Sequence, residues 1–169
     1  MARLFFAVWP DADSASRLAA LARQLVEVCG GRPVPAGKIH LTLAFLGEVG
    51  AERAAALAGC AGFRARPFRL ELDRIGGFRR AGVAWAGPSA PPARLMALQE
   101  KLSARLGASG FALEEREFNP HLTLARRVER KLPSAPIAPI AWEVDAFTLV
   151  RSETGTGRYT VLERWPLGA

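Results

Sequence analysis

The chain has 169 residues, half of them apolar, and carries a net charge of +7 with a pI near 10.6. This length and apolar content suffice for one folded domain with a buried core, and they exclude an intrinsically disordered chain. A basic balance built mostly from Arg suits a polyanionic partner, although codon usage that enriches Arg and Ala together would give the same charge.

Strands and helices alternate in the first half of the chain. Residues 4–9 form a short apolar run that predicts a buried strand, and Asp11 or Asp13 can cap a helix that ends at Gly30. Residues 39–46 predict a second strand, because Ile, Thr and Phe are common in strands. The Ala-rich residues 51–61 predict a second helix.

Strands predominate in the second half. Residues 68–75 alternate apolar with charged and predict a half-buried strand that pairs with residues 83–86. Pro91 and Pro92 then open a leucine-rich helix that ends near Gly107. Further strands are predicted at 122–125, 142–150 and 159–165. Residues 132–139 hold three prolines and predict a loop rather than a domain linker.

This order of elements, a strand, a helix and a histidine-bearing strand read twice, predicts an α+β fold. We expect antiparallel sheets with helices on their outer faces. Each half has only about 80 residues and would be marginal alone, so residues 1–169 are predicted to form a single domain with two lobes.

The cysteines and the apolar runs bear on the compartment. Cys29 and Cys60 stand apart from each other and from both histidines, which favours buried thiols in a reducing cytoplasm over a disulfide framework. The apolar run before Pro10 is too short for a signal peptide, and no run of about 20 apolar residues predicts a membrane span. We therefore expect a cytoplasmic protein with no membrane partner.

One pentapeptide, His-Leu-Thr-Leu-Ala, occurs twice. It fills residues 40–44 and 121–125, and it contains both of the histidines in the chain. Side chains alternate between the two faces of a strand. In the first copy the residues expected to face a cleft are His40, Thr42 and Ala44. Those expected to face the core are Leu41, Leu43 and Phe45. The second copy likewise places His121 and Thr123 together.

Two imidazoles and two hydroxyls at one cleft match what phosphodiester hydrolysis needs. A neutral imidazole can take a proton from water as it attacks phosphorus, and an imidazolium can protonate the departing alkoxide. The Thr hydroxyls can donate to the non-bridging oxygens. A hydrolytic zinc site wants three protein ligands, whereas each motif offers one His and no carboxylate in register, so we predict catalysis without a metal.

Other chemistries lack their motifs. There is no Gly-x-Ser-x-Gly for a serine hydrolase and no Gly-rich loop with Lys for nucleoside triphosphates. A non-catalytic RNA-end-binding module stays open as an alternative, in which basic charge and aromatics such as Phe5, Phe6 and Trp85 track a strand. The intact histidine pair argues against it, because Arg and Lys serve simple phosphate binding better.

The sequence resembles the 2H phosphoesterase superfamily, which is named for two His-x-Thr-x motifs. Within it, the resemblance is closest to the bacterial and archaeal RNA 2′,3′-cyclic phosphodiesterases, also called 2′-5′ RNA ligases. The matching segments run nearly end to end and comprise residues 3–7, 40–47, 76–78, 83–85, 118–126 and 152–159.

The resemblance implies a bilobal fold around a pseudo-two-fold axis, with two antiparallel sheets, a central cleft, and no metal or cofactor. The implied substrate is RNA with a 2′,3′-cyclic phosphate end, or a cyclic nucleotide, opened to a 2′-phosphomonoester. His40 would donate a proton to the leaving 3′ oxygen and His121 would accept one from water. Thr42 and Thr123 would hold the phosphate.

Arg126 and the direction of the reaction are less determined. Period two places Arg126 on the face opposite His121 and Thr123, so it reaches the cleft only if the strand ends or bulges there. The alternative is a surface Arg in the basic run of residues 126–131. The same acid and base would also serve 2′-5′ ligation by microscopic reversibility. We expect the protein to be a monomer.

Overall fold

The computed structural model describes residues 2–168, and within them the chain forms nine strands and three α-helices. The strands are β1 (Ala2–Val8), β2 (Arg32–Pro33), β3 (Leu41–Val49), β4 (Phe68–Phe78), β5 (Val83–Gly87), β6 (Leu122–Arg126), β7 (Ala135–Val144), β8 (Ala146–Ser152) and β9 (Tyr159–Pro166). The helices are α1 (Ala12–Cys29), α2 (Ala51–Cys60) and α3 (Ala93–Ala108).

The first helix begins and ends where local chemistry dictates. The carboxylate of Asp11 accepts a hydrogen bond of 2.8 Å from the backbone N–H of Ser14, so Asp11 rather than Asp13 is the cap. Gly30 ends the helix with φ at 75°, a left-handed conformation that glycine adopts without strain.

Every pairing in the sheet is antiparallel, and the strand order is β7-β4-β5-β6-β3-β1-β8-β9, with β2 pairing β6 off this path. The predicted α+β class is confirmed. The two expected sheets are halves of one continuous path, which within residues 2–168 is joined by the pair Leu41–Leu122 between β3 and β6, with β2 bonded to β6 beside it. Because β3 and β6 part on either side of this pair, a cleft opens between the halves.

Within residues 2–168, each half holds four strands outward from this junction: β6, β5, β4 and β7 in one, and β3, β1, β8 and β9 in the other. In both halves the motif strand pairs with the strand that comes before its preceding helix, which is β1 before α1 for β3 and β5 before α3 for β6. Leu41 and Leu122 occupy the same position in the two pentapeptides, and a two-fold axis between two units brings equivalent residues together in this way. The pseudo-two-fold arrangement is therefore present in the topology. α2 follows β3 and has no counterpart after β6.

Two predictions about the later strands are wrong. The sequence predicts a loop over 132–139, but β7 begins at Ala135. β7 is one of the two edge strands along the main strand path and, within residues 2–168, pairs with β4 alone, so prolines that lack an N–H are tolerated there. The strand predicted over 142–150 is divided at Asp145, where the chain leaves β7 for β8 in the other half.

One large hydrophobic cluster takes side chains from both halves, including Leu18 of α1, Leu57 of α2 and Leu98 of α3. Cys29 and Cys60 are buried in it, as predicted. A smaller cluster of Phe5, Ala7 and Val150 lies apart from it. Across residues 2–168, no helix is both long and apolar enough to cross a membrane.

Candidate active site

Both histidines lie one residue before the strand that follows them. β3 begins at Leu41, where it pairs with Val8, and β6 begins at Leu122. The strand predicted over 39–46 therefore begins two residues later than predicted, and His40 lies immediately before its first residue. The four motif leucines are 0–2% exposed, which confirms that they face the core.

The two imidazoles are held in the same way. Nδ1–H of His40 donates to the carbonyl of Lys38 at 2.7 Å, and Nδ1–H of His121 donates to the carbonyl of Asn119 at 2.8 Å. A carbonyl only accepts, so Nδ1 carries the proton and Nε2 is left for chemistry. The two motifs therefore share this backbone hydrogen bond, although the residues whose carbonyls accept it, Lys38 and Asn119, differ.

Antiparallel pairing of Leu41 with Leu122 puts Thr42 on the same side of that pair as His121, and Thr123 on the same side as His40. Within the first motif the Thr42 hydroxyl also lies 3.1 Å from Nε2 of His40 and donates to it.

A cavity of about 690 Å3 opens at this point. Its walls include His121, Thr42, Thr123 and Arg126, which are four of the five site residues that the sequence predicts. His40 is not part of the wall and stands behind Thr42, to which its Nε2 is bonded.

Each motif strand has a β-bulge at its second leucine. On β3, Phe6 opposes Ala44 while Ala7 opposes Thr42, which leaves Leu43 as the extra residue. On β6, Ala84 opposes Ala125 while Trp85 opposes Thr123, which leaves Leu124 extra.

The bulged carbonyls find different partners in the two halves. Leu124 accepts from the Val34 N–H at 2.8 Å, whereas Leu43 accepts from Nε2 of Gln99 at 3.4 Å. The segment that carries Val34 can approach β6 because residue 31 is glycine. A Cβ on Gly31 would lie 2.4 Å from the Arg126 carbonyl oxygen.

The bulges overturn the strict alternation that the sequence predicts. Ala44 is buried but still lines the cavity, as predicted, whereas Phe45 is 51% exposed and lines the cavity instead of the core. Arg126 occupies the position in β6 that Phe45 has in β3, and it is likewise turned into the cavity. An extra residue re-aims the side chains that follow it, which is why Arg126 joins the site.

His40 is enclosed by aromatic rings. Its ring centroid lies 4.8 Å from Phe5, which stacks on it, 5.2 Å from Trp9, and 5.5 Å from Tyr159, which meets it edge to face. Burial lowers the pKa of His40, although the bond to the Lys38 carbonyl opposes this, and the charges of Arg126 and His121 lower the pKa further.

The rings of Phe5, Trp9 and Tyr159 form an aromatic cage around His40. Lys38 and the turn between β8 and β9 complete this cage. The Lys38 ammonium lies 5.1 Å from the Tyr159 ring centroid and donates to the carbonyl of Gly157. Lys38 therefore holds the ring of His40 through its backbone and the Tyr159 side of the cage through its side chain.

Sequence reasoning missed Trp9, Tyr159 and Lys38 as parts of the site. A signal for Trp9 existed, since Trp9 directly follows β1 in period-two phase with Phe5 and Ala7, while Phe6 is fully buried on the other face.

His121 has fewer neighbours. The ring of Phe78 meets it edge to face at 5.0 Å, and Trp85 lies 5.6 Å behind Phe78. The Trp85 ring fits there because a Cβ on Gly76 would lie 2.5 Å from it.

Groups that could hold a metal ion are not found in the described part of the chain, where no three His, Cys, Asp or Glu side chains come together. The polar groups at the cavity are instead imidazole, hydroxyl and guanidinium. This set can transfer protons and bind an anion.

Comparison with known proteins places these features in a family. A family model described as the 2′-5′ RNA ligase superfamily matches residues 9–156. The RNA 2′,3′-cyclic phosphodiesterase of Escherichia coli is 39% identical over 98% of this chain and 96% of its own length, and that of Thermus thermophilus is 34% identical over 98% and 90%. The crystal structure of E. coli LigT complexed with 3′-AMP matches with a TM-score of 0.92 at 38% identity, covering 99% of both chains.

Proposed function

This chain belongs to the 2′-5′ RNA ligase superfamily, and from that premise we propose that it hydrolyses the terminal 2′,3′-cyclic phosphate of RNA to a 2′-phosphomonoester. The observation that carries the proposal is the matched pair of imidazoles. Each has its Nδ1 proton bound to a backbone carbonyl, with Nε2 of His40 bonded to the Thr42 hydroxyl at the cavity wall and His121 lining the cavity directly. The names of the E. coli and Thermus relatives support the same activity.

The reaction uses the two histidines in opposite protonation states. Nε2 of His121 accepts a proton from water as the water oxygen forms a bond to phosphorus. The bond from phosphorus to the 3′ oxygen breaks, and Nε2–H of His40 protonates that oxygen. The hydroxyls of Thr42 and Thr123 and the guanidinium of Arg126 bind the non-bridging oxygens, whose negative charge they stabilise.

The environment of His40 fits a proton donor whose charge depends on the substrate. Burial lowers the pKa of His40, so its imidazolium is a stronger acid toward a departing alkoxide. A phosphate anion in the cleft favours the imidazolium and offsets the burial. His40 then takes up its proton as the substrate binds.

The proposal needs no metal or cofactor, because the two imidazoles supply both acid and base. We expect EDTA treatment to leave the rate of cyclic phosphate opening unchanged. A loss of activity that added divalent cation restores would contradict this part of the proposal.

The decisive experiment is incubation with an RNA oligonucleotide that ends in a 2′,3′-cyclic phosphate, followed by identification of the monoester formed. We expect the 2′-phosphate, and loss of the reaction in His40→Ala and in His121→Ala with the fold retained by circular dichroism. A 3′-phosphate product would reverse the leaving oxygen. Full activity in either variant would refute the paired mechanism.

A further inference from the structure

The cavity beside the proposed catalytic groups is larger than a cyclic phosphate requires. Its volume of about 690 Å3 falls within the range of roughly 300–1,000 Å3 that small-molecule sites span. Beyond His121 its walls include the rings of Phe45, Phe78 and Phe118. Apolar and aromatic walls of this size suit the nucleoside to which the phosphate is attached.

Two arginines, separate from Arg126, also line this cavity. Arg80 lies on the turn between β4 and β5, and Arg116 lies on the segment between α3 and β6. Across residues 2–168 Arg80 makes no ion pair or side-chain hydrogen bond. Arg116 has one ion pair, to Glu114 at 3.3 Å, between two largely exposed side chains. Such exposed pairs contribute about 0–1 kcal/mol, so Arg116 can exchange its partner for a ligand.

Two carboxylates oppose these arginines, since Glu114 and Glu117 line the same cavity. A phosphate there is repelled by them and attracted by Arg80 and Arg116. Because Glu114 pairs with Arg116, neutralising Glu114 would both free that arginine and remove a repulsive charge.

We propose that Arg80 and Arg116 bind the phosphate on the 5′ side of the terminal nucleoside, while the cavity holds that nucleoside. RNA strands are then better substrates than cyclic mononucleotides, which lack this phosphate. Guanidinium groups suit the contact because a single guanidinium can donate two parallel hydrogen bonds to two oxygens of one phosphate. The inference rests on the proposed function, since it takes the reacting phosphate to lie at the two histidines.

The test compares three substrates: adenosine 2′,3′-cyclic phosphate, its 5′-phosphorylated form, and the dinucleotide ApA with a 2′,3′-cyclic phosphate end. We expect the added 5′ phosphate to raise kcat/KM about tenfold, mostly through KM, which corresponds to about 1.4 kcal/mol. The dinucleotide should gain at least as much. This gain should also shrink as salt concentration rises.

Variants test which residues cause the increase in kcat/KM that the 5′ phosphate gives. The double variant Arg80→Gln, Arg116→Gln should lower the ratio of kcat/KM between the 5′-phosphorylated and plain substrates to near one. Glu114→Gln should raise this ratio, and Arg79→Gln should leave it unchanged, because Arg79 is exposed and does not line the cavity.

The possible results distinguish a failure of the 5′-phosphate site from a failure of the proposed hydrolysis. Hydrolysis of the plain cyclic nucleotide without any gain from a 5′ phosphate would overturn this inference and leave the proposed function standing. An equal loss on all three substrates in the double variant would also overturn it, because the arginines would then act on the reacting phosphate. If no substrate is hydrolysed by the wild type, the proposed function itself fails.

Discussion

The two motifs at the cleft share a pentapeptide and a backbone anchor, yet their histidines lie in different surroundings. His40 is packed among Phe5, Trp9 and Tyr159 and bonded to Thr42, whereas His121 meets one ring, Phe78, and faces the cavity. The repeat therefore fixes where each Nε2 points, and the neighbours from other strands bury His40, which lowers its pKa. A symmetric backbone can in this way support unequal roles.

Replacing either histidine is expected to have the largest effect. His40→Gln and His121→Gln should each lower kcat/KM by about 10²–10⁴-fold, the usual contribution of a general acid or base. Because the two act in one step, the double variant should lose little more than either single one. Rate measurements on RNA with a cyclic phosphate end check this. Losses that multiply in the double variant would show two independent functions instead of a pair.

The threonines should separate the two motifs further. Thr42→Val and Thr123→Val should each lower kcat/KM by roughly 10–100-fold, because each removes a hydrogen bond to a charged oxygen. Only Thr42→Val should also disturb the His40 ring, since Thr42 is bonded to its Nε2. Thr→Ser variants at both positions serve as controls that keep the hydroxyl. The His40 resonance in NMR spectra should move in Thr42→Val alone, and equal shifts in both Val variants would contradict the assignment.

Opening the aromatic cage should make His40 more like a solvent-exposed imidazole. In Tyr159→Leu the pKa of His40 should rise toward its ordinary value, because water reaches the ring and burial no longer disfavours the charged form. The chain has only two histidines, so an NMR titration of their Cε1 protons follows both rings in one spectrum. Val161→Ala, an exposed site on the same strand, is the matched control. An unchanged His40 titration in Tyr159→Leu would show that other neighbours cause the shift.

The smallest expected effect concerns stability against pH. The folded state holds the His40 proton less tightly than the unfolded chain, whose pKa is near 6.5. Between 6.5 and the lowered folded value, the unfolded state binds more protons. The free energy of unfolding should therefore fall as pH drops through this window, by at most about 1.4 kcal/mol per pH unit. Urea denaturation at several pH values should show a steeper fall in the wild type than in His40→Gln, and parallel curves would refute the contribution.

The sequence predicts the fold class, most strands and the meeting of both motifs, because period and repetition are local properties. It does not predict the bulges at Leu43 and Leu124, which depend on the register of the neighbouring strands β1 and β5. It also cannot place Tyr159 against His40, since that contact depends on which strands are neighbours in the sheet. The prolines of β7 lead to the wrong prediction of a loop for the same reason. Whether a strand tolerates proline depends on its being at the edge of the sheet, which the local sequence does not show.

The paired bulges have a consequence for how this cleft tolerates insertions and deletions. Because Leu124 is the extra residue in β6, deleting it should restore plain alternation with Arg126 two residues after Thr123 and still on the cavity side, whereas inserting one residue after Ala125 should turn Arg126 out of the cavity. Substituting Leu124 by Ile should leave Arg126 where it is. In libraries made for redesigning the cleft, the segment between Thr123 and Arg126 should therefore not be lengthened, while the leucine within it can vary among apolar residues of similar size.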